Sequence, residues 1–292
     1  QSIQGSTGQW NLAERVEVRM TIELLRVEGV TKSFGHIEAL TDVSLTINEG
    51  EIVGLVGSNG AGKTTLLRLL AGVYTPTSGA VVLSDGSKVE DARHRLGVVP
   101  ESTGLYSRLT AWENIRYHSR LYGTSDEESW NRTVFFADRL DMKESLGRHT
   151  KGFSRGMRQK TALLRALAHA PDILLLDEPT AGLDVTSART VRSLVHQLGE
   201  TGGTVVYSTH QLAEAEAVCS RIIIIHNGEV RADGTPAGLL EQTATNNLEE
   251  AYVSLTTDKA RTRVVSGKPL SKIAKWWQKL STPKVPEGDE SE

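Results

Sequence analysis

A glycine-rich loop in the first quarter of the chain has the residue types and the spacing needed to bind a triphosphate. Residues 57–64 match the pattern G-x-x-x-x-G-K-[ST] in full, between an apolar run that predicts a buried strand (52–56) and a stretch that predicts a helix (64–70). Backbone N–H groups of such a loop converge on phosphate oxygens, and the helix N-terminus adds partial positive charge. Lys63 would lie between the β- and γ-phosphates, and Thr64 would bind Mg²⁺. The candidate nucleotide-binding residues of this loop are Gly57, Ser58, Asn59, Gly60, Ala61, Gly62, Lys63, Thr64 and Thr65.

Two adjacent carboxylates, Asp177 and Glu178, follow a short apolar run at 174–176. A strand there would deliver both to the carboxyl edge of a parallel sheet, beside the phosphate loop, where ligands collect. Asp177 would bind Mg²⁺, directly or through water, and Glu178 would polarise the attacking water. Taken alone, the pair could equally be solvated or cap the next helix; the phosphate loop favours the catalytic interpretation.

A third group, Ser154-Arg155-Gly156-Met157, could cap a γ-phosphate but has no phosphate loop of its own nearby. One chain therefore carries two complementary half-sites in single copy. We expect two chains to meet head to tail over two nucleotides, so that nucleotide binding drives dimerisation. Ser154 is also a good helix N-cap, and it could serve as cap, as phosphate donor, or as both.

The elements that must position these groups alternate between strands and helices after residue 170. The runs at 173–176, 205–208 and 222–225 predict strands, while 185–198 and 212–218 predict helices. Such alternation predicts a mostly parallel sheet with helices on both faces. Residues 25–83 predict short strands and turns, hence an antiparallel β subdomain.

The stretch from about 110 to 170 interrupts this alternation and predicts an inserted helical subdomain (about 102–170). One helix would place Trp112, Ile115, Leu121 and Tyr122 near one face, a second would run from Trp130 to Leu140, and a third would start at Ser154. We expect no internal repeat.

Composition excludes several classes of protein. With 33 basic and 36 acidic side chains the net charge is −3, which gives no general attraction to nucleic acid. Cys219 is the only cysteine, so no disulfide can form within the chain, and a reducing compartment fits. No apolar run approaches the roughly 20 residues that span a bilayer, and the pattern of these residues predicts no secretory signal. Met20 could be the true start, with residues 1–21 a disordered or artificially added leader.

These motifs in this order identify the chain as resembling the ATP-binding subunits of ABC transporters, over about residues 25–240. The residues that carry the resemblance are the loop at 57–64, the signature at 154–157, Asp177-Glu178, Asp184 in Ala181-Gly182-Leu183-Asp184, and His210 in Ser208-Thr209-His210.

The resemblance implies an α/β fold, a P-loop NTPase (RecA-like) core, in a domain spanning 22–242. It also implies ATP and Mg²⁺ as ligands and a nucleotide-sandwich dimer with an identical or closely related ATP-binding subunit. In that dimer Ser154 and Gly156 would contact the γ-phosphate bound by the other chain, and Asp184 would communicate across the interface. His210 would hold the phosphate and sense hydrolysis, and Phe34 would stack on adenine. The alternatives are a core aromatic for Phe34 and an ordinary surface histidine for His210.

The chain departs from the common family pattern at three positions. Arg155 and Met157 stand where the family often has Gly and Gln, although the essential Ser and the second Gly of the signature remain. Arg155 adds a cation near phosphate, which should not harm binding. Glu101 stands where the family normally offers Gln to the metal and the lytic water; a carboxylate is a stronger Mg²⁺ ligand but adds negative charge near the γ-phosphate.

The same resemblance predicts the partner and the place of action. An ATP-binding subunit without a membrane-spanning segment requires a separate transmembrane permease. The resemblance therefore places this chain at the cytoplasmic face of the cell membrane, as a peripheral subunit. The forms of the signature and of residues 104–106 are similar to export-type subunits, the sodium-efflux (NatA-like) and multidrug or polysaccharide exporters. The alternatives are a soluble ABC-type ATPase acting on ribosomes or DNA, and a non-catalytic regulator; the single nucleotide domain and the intact Glu178 and His210 count against them.

The C-terminal extension, 243–292, is predicted to contain a basic amphipathic helix at about 268–281 and a disordered acidic tail. Leu270, Ile273, Ala274 and Trp277 would share one helical face, with lysines around the rest. This segment could contact an anionic membrane surface, or it could pack on its own domain or its dimer mate.

Overall fold

The computed structural model describes residues 22–257. The predicted leader at 1–21, and the predicted amphipathic helix and acidic tail, lie outside the described residues. The strands are β1 (Glu23–Phe34), β2 (Ile37–Asn48), β3 (Ile52–Val56), β4 (Ser78–Leu83), β5 (Leu96–Val99), β6 (Ile173–Asp177), β7 (Thr204–Thr209), β8 (Arg221–His226) and β9 (Glu229–Gly234). The α-helices are α1 (Lys63–Leu70), α2 (Ala111–Leu121), α3 (Asp126–Arg139), α4 (Arg155–Leu167), α5 (Val185–Glu200), α6 (Leu212–Val218), α7 (Pro236–Thr243) and α8 (Leu248–Thr256). Short 3₁₀ helices lie at Arg93–Arg95, Lys143–Ser145 and Thr150–Gly152.

The larger sheet brings the chemically interesting residues to one edge. Its strand order is β5-β6-β7-β3-β8-β9, with the first five strands parallel and β9 antiparallel to β8. Strands β3, β6 and β7 are buried at every residue, and each contains a continuous run of apolar residues rather than an alternating pattern. Because these strands are parallel, the residues that follow them gather at a single edge. The predicted mostly parallel sheet is confirmed.

The smaller sheet is antiparallel, with strand order β2-β1-β4. Val43, Leu45 and Ile47 of β2 are all buried and alternate with more exposed polar residues, as the period of two requires. They share a hydrophobic core with Leu66 of α1 and Leu55 of β3. The helix that follows the glycine-rich loop is therefore held by apolar contacts with both sheets.

A helical block, α2 to α4, is inserted between β5 and β6. Thr110 and Ser125 each form a reciprocal capping box that fixes the start of α2 and of α3. The second helix therefore begins at Asp126, four residues before the predicted Trp130. The indole rings of Trp112 and Trp130 pack edge to face with centroids 4.8 Å apart.

The prediction that Leu121 joins the apolar face of α2 is wrong. Its side chain is 65% exposed, while Ile115 on the same helix is fully buried. At 3.6 residues per turn, Leu121 lies about 120° around α2 from the buried Ile115, which turns its side chain away from the packed face.

The last two described helices follow β9. Thr235 caps α7, and Pro236 occupies its first turn. Helix α8 lies beyond Gln242, where the sequence pattern is weak, and packs against α6, α7 and β9. Within residues 22–257, no helix is long and apolar enough to cross a membrane.

Candidate functional site

The glycine-rich loop connects β3 directly to α1, as the motif predicts. A Cβ at Gly57 would collide with the backbone carbonyl oxygen of Ile225 on the neighbouring strand, so the first position of the motif admits only glycine. Gly62 adopts a left-handed φ of 111° at the N-cap of α1, and no side chain caps that helix. The first N–H groups of α1 are therefore left to a ligand at the loop.

Lys63 is held inside the loop that it follows. Its side chain is only 6% exposed, and Nζ donates to the carbonyl oxygen of Gly57 at 2.7 Å and to that of Ser58 at 3.3 Å. The same ammonium group lies 3.6 Å from a carboxylate oxygen of Glu178. An ammonium donor thus stands between the loop and the carboxylate, where a γ-phosphate would have to lie.

Three oxygen-bearing side chains meet at the carboxyl ends of β6 and β7. The Thr64 hydroxyl donates to Asp177 Oδ1 at 3.2 Å, and the Ser208 hydroxyl donates to the same oxygen at 2.9 Å. Asp177 is buried. A hard cation prefers such oxygen ligands, and with phosphate oxygens completing its shell Mg²⁺ fits Thr64 and Asp177. Among the described residues no group of three or more His, Cys, Asp or Glu side chains could hold a metal.

Glu178 occupies a strained position next to this pair. Its φ is +48°, in the left-handed region that non-glycine residues rarely adopt, and its N–H donates to the Ser208 carbonyl at 3.2 Å. One carboxylate oxygen, Oε2, lies 2.9 Å from His210 Nδ1, whereas Oε1 is buried, accepts no hydrogen bond and is the oxygen that lies 3.6 Å from Lys63 Nζ. A buried carboxylate oxygen with unused acceptor capacity is suited to take a proton from a water molecule.

His210 follows β7 immediately, as predicted, and its side chain is 45% exposed. Because Nδ1 faces Glu178, the other ring nitrogen, Nε2, is the one available to a phosphate oxygen. The hydrogen bond to the carboxylate also fixes the orientation of the ring.

A cavity of about 460 Å³ joins these groups. Its walls come from the phosphate loop, from the segments after β5, β6 and β7, and from β2. The lining residues with polar side chains are Asn59, Lys63, Thr64, Thr65, Glu101, Glu178 and His210. Glu101, which sequence placed near the metal and the lytic water, thus faces the same cavity as the phosphate loop.

The signature group is not part of this cavity. The Ser154 hydroxyl accepts a hydrogen bond from the N–H of Met157 at 3.2 Å, so Ser154 is the N-cap of α4. A Cβ on Gly156 would lie 2.6 Å from the Ser187 hydroxyl, so that position is closed to larger residues. Within one chain, the phosphate loop and the signature form separate sites.

The loop that contains Asp184 packs against the signature. The Arg155 guanidinium lies directly over the backbone of Gly182, closer than a Cβ there would allow. Asp184 caps α5 by accepting from the N–H and the hydroxyl of Ser187 at 2.9 and 2.7 Å. These two hydrogen bonds lower the pKa of Asp184 below its ordinary value.

Phe34 lies at the end of β1 and is 42% exposed. Its ring packs edge to face on Tyr74 with centroids 5.3 Å apart, and Lys32 Nζ lies 5.1 Å from its centroid. The residue does not line the 460 Å³ cavity. A half-exposed ring with a fixed edge contact offers a face to a planar ligand, and the adenine role stays a prediction.

Two polar groups of the site are missing from the sequence predictions. Ser208 directs the Asp177 carboxylate, and its place in Ser208-Thr209-His210 after an apolar strand could have indicated it. Tyr252 reaches the phosphate loop from α8, where its hydroxyl accepts from the N–H of Ser58 at 3.0 Å. No local pattern in the sequence connects Ser58 with Tyr252, which are 194 positions apart.

A phosphate loop between β3 and α1, with an aspartate and a glutamate at the end of a nearby parallel strand, defines a P-loop nucleoside triphosphatase. A family model described as ABC transporter matches residues 40–181. The chain is 42% identical over 222 residues to the ABC transporter ATP-binding protein NatA of Bacillus subtilis (strain 168), an alignment that covers 75% of this chain and 90% of that protein. It is 33% identical over 234 residues to the linearmycin resistance ATP-binding protein LnrL of the same organism, covering 79% of this chain and 75% of that protein. The chain therefore belongs to the ABC transporter family, as an ATP-binding subunit, and is an ATPase.

Solved structures agree with this assignment. An ATP-binding subunit of an ABC transporter superposes with a TM-score of 0.74 at 32% identity, covering 80% of this chain and all of that one. A dimeric post-hydrolysis state of the ATP-binding cassette MJ0796, bound to ADP and Pi, gives a TM-score of 0.66 at 31% identity and covers 73% of this chain and 98% of that one. The predicted P-loop fold and family resemblance are confirmed.

Proposed function

We propose that this chain is the motor subunit of a membrane exporter, working with a separate transmembrane permease at the cytoplasmic face of the cell membrane. The ATP-binding domain would span 22–242, with the helical subdomain at 102–170 and an extension at 243–292. One observation carries the dimeric part of the proposal. The cavity at the phosphate loop is lined by the positively charged Lys63 and by the candidate base Glu178, while Ser154 to Met157 lie outside it. A second chain would supply the missing cap.

The described residues support a division of roles in hydrolysis. The phosphate loop and Lys63 would hold the β- and γ-phosphates of ATP. Thr64 and Asp177 would hold Mg²⁺, which when bound neutralises charge on the phosphates. Glu178 would take a proton from the attacking water through Oε1, which accepts no hydrogen bond, and His210 would orient that carboxylate through Oε2. Catalysis would rest on positioning and charge, without a covalent intermediate.

A composite site, made of the phosphate loop of one chain and Ser154 to Met157 of the other, would couple ATP binding to movement. ATP between two chains favours the closed dimer, and hydrolysis removes the γ-phosphate that both chains contact, so the dimer opens. Export, rather than import, is supported by the form of the signature and by the similarity to LnrL, whose name records resistance to linearmycin. Substrate selectivity would lie in the permease.

The partner is tested by purifying the tagged chain from detergent-solubilised membranes of cells that produce it at natural levels. We expect a protein with several spanning helices to co-purify, and the ATPase rate per chain to differ between the complex and the isolated subunit. Co-purification of ribosomes or DNA in place of a membrane protein would overturn the proposal in favour of a soluble ABC-type ATPase.

Glu101→Gln is expected to keep the ATPase rate within about an order of magnitude of wild type. Glu101 is exposed on the cavity wall, and an amide still offers a cation or a water molecule an oxygen, although a weaker and uncharged one. The measurement is phosphate release at saturating ATP and Mg²⁺. A complete loss of hydrolysis would give the carboxylate a catalytic role that the arrangement of Glu178 does not predict.

A further inference from the structure

The phosphate loop is held from an unexpected direction, by a residue of the last described helix. The hydroxyl of Tyr252 on α8 accepts a hydrogen bond from the N–H of Ser58 at 3.0 Å. That N–H belongs to the peptide group between Gly57 and Ser58. The carbonyl oxygen of the same peptide group accepts from Lys63 Nζ at 2.7 Å. Tyr252 therefore fixes one end of the peptide plane whose other end holds the phosphate-binding lysine.

The next carbonyl is engaged as well. The Ser58 carbonyl oxygen accepts from the N–H of Ala61 at 3.1 Å and from Lys63 Nζ at 3.3 Å. Hydrogen bonds among these residues therefore hold the first turn of the loop. The hydrogen bond to Tyr252 connects this turn to α8. An orientation change at the Gly57–Ser58 peptide would move the Gly57 carbonyl oxygen, the nearer of the two that accept from Lys63 Nζ.

Helix α8 can act as a rigid support for this hydroxyl. Its Leu248 and Ala251 are buried, and Tyr252 and Leu255 pack against the main core. Asn247 caps the helix by accepting from the N–H of Glu250 at 2.9 Å. A tyrosine on such a support loses little conformational entropy when it makes a hydrogen bond.

Tyr252 also lies near His210, the histidine that is predicted to contact the γ-phosphate. A second cavity, of about 310 Å³, adjoins the phosphate loop, and its lining includes Ser58, His210, Leu212 and Tyr252. His210 lines this cavity and the larger one alike. Helix α8 thus stands next to both the loop that binds phosphate and the residue expected to sense it.

We propose that Tyr252 is a positioning residue for ATP binding, which holds the Gly57–Ser58 peptide in the orientation that the nucleotide requires. The proposal rests on the assignment of residues 57–64 as the ATP loop. Without the hydroxyl, the loop samples other orientations before ATP binds, and binding must order it. Once ATP is bound, its phosphates order the loop themselves, so the cost falls on affinity and spares the chemical step.

The test compares Tyr252→Phe with the wild type and with Tyr117→Phe in the full chain. Tyr252→Phe removes one oxygen and keeps the ring that packs on the core, so the fold is retained. Tyr117 is a matched control, since it is a half-exposed tyrosine on α2, outside the site. The readouts are the Kd for MgATP, the kcat and KM of ATP hydrolysis, and hydrogen exchange of residues 57–62 and 248–256 without nucleotide.

We expect Tyr252→Phe to raise Kd and KM for ATP about two- to tenfold, the range of one hydrogen bond, with kcat within about twofold. Exchange should rise in residues 57–62 and stay unchanged in α8, because only the loop loses its partner. Tyr117→Phe should match the wild type. Unchanged Kd and KM, a loss in kcat alone, or equal loosening of α8 would each overturn the proposal. A wild-type chain that binds no MgATP would instead overturn the assignment of the loop.

Discussion

Glu178→Gln is expected to lower the ATPase rate by about 10²- to 10⁴-fold, the usual contribution of a positioned general base. The substitution keeps the shape of the side chain and replaces a proton-accepting oxygen with an amide. Oε1 of Glu178 is buried and accepts no hydrogen bond, so it remains available as the acceptor for a water molecule next to the phosphate. Phosphate release at saturating MgATP measures the effect.

The same variant is expected to accumulate as a dimer with ATP and Mg²⁺. The residues that hold the phosphates are unchanged, so ATP still joins the two halves, while the step that releases them is blocked. Light scattering after size exclusion detects the change in mass. Glu200→Gln is the matched control, because Glu200 is an exposed glutamate at the end of α5 and is expected to behave as wild type. Hydrolysis at the wild-type rate would remove Glu178 from the role of base.

Much of this site could be predicted because its groups lie at the ends of buried strands. Lys63, Asp177 and His210 each follow an apolar run closely, and parallel strands bring their carboxyl ends to one edge. The local sequence pattern was therefore enough to predict which of these residues lie close together. The start of α3 was also encoded locally, since Ser125 and Glu128 form a capping box, a signal that the apolar pattern beginning at Trp130 obscured.

Other features depend on packing between segments that are remote in sequence, where no periodic signal exists. The contact of Arg155 with the Gly182 backbone arises because α4 and the segment after β6 meet in space. The left-handed φ of Glu178 results from the loop geometry after β6, and glutamate itself does not favour it. The hydrogen bond from Ser58 to Tyr252 joins two residues that are 194 positions apart. Such tertiary contacts are determined by the assembled fold.

Ser154→Asp is expected to abolish the ATP-dependent dimer of the Glu178→Gln variant while leaving the subunit folded. In one chain Ser154 is only a helix cap, and aspartate caps a helix about as well as serine and suits the helix N-terminus. In the composite site, however, the new carboxylate would face the γ-phosphate held by the other chain. Two negative charges placed next to each other in an interface cost about several kcal/mol, which would weaken the dimer by more than about a hundredfold.

This variant separates the two roles that Ser154 could have, because capping survives the substitution and phosphate contact does not. The matched control is Thr235→Asp, which places the same carboxylate at the N-cap of α7, a helix that, like α4, has no acidic residue in its first turn. Both variants should unfold at nearly the wild-type temperature, and only Ser154→Asp should remain monomeric with MgATP in light scattering. If the Ser154→Asp chain dimerised as tightly as its control, Ser154 would not contact the nucleotide of the partner. ATP would then have to be enclosed by a single chain, or by another surface of the second.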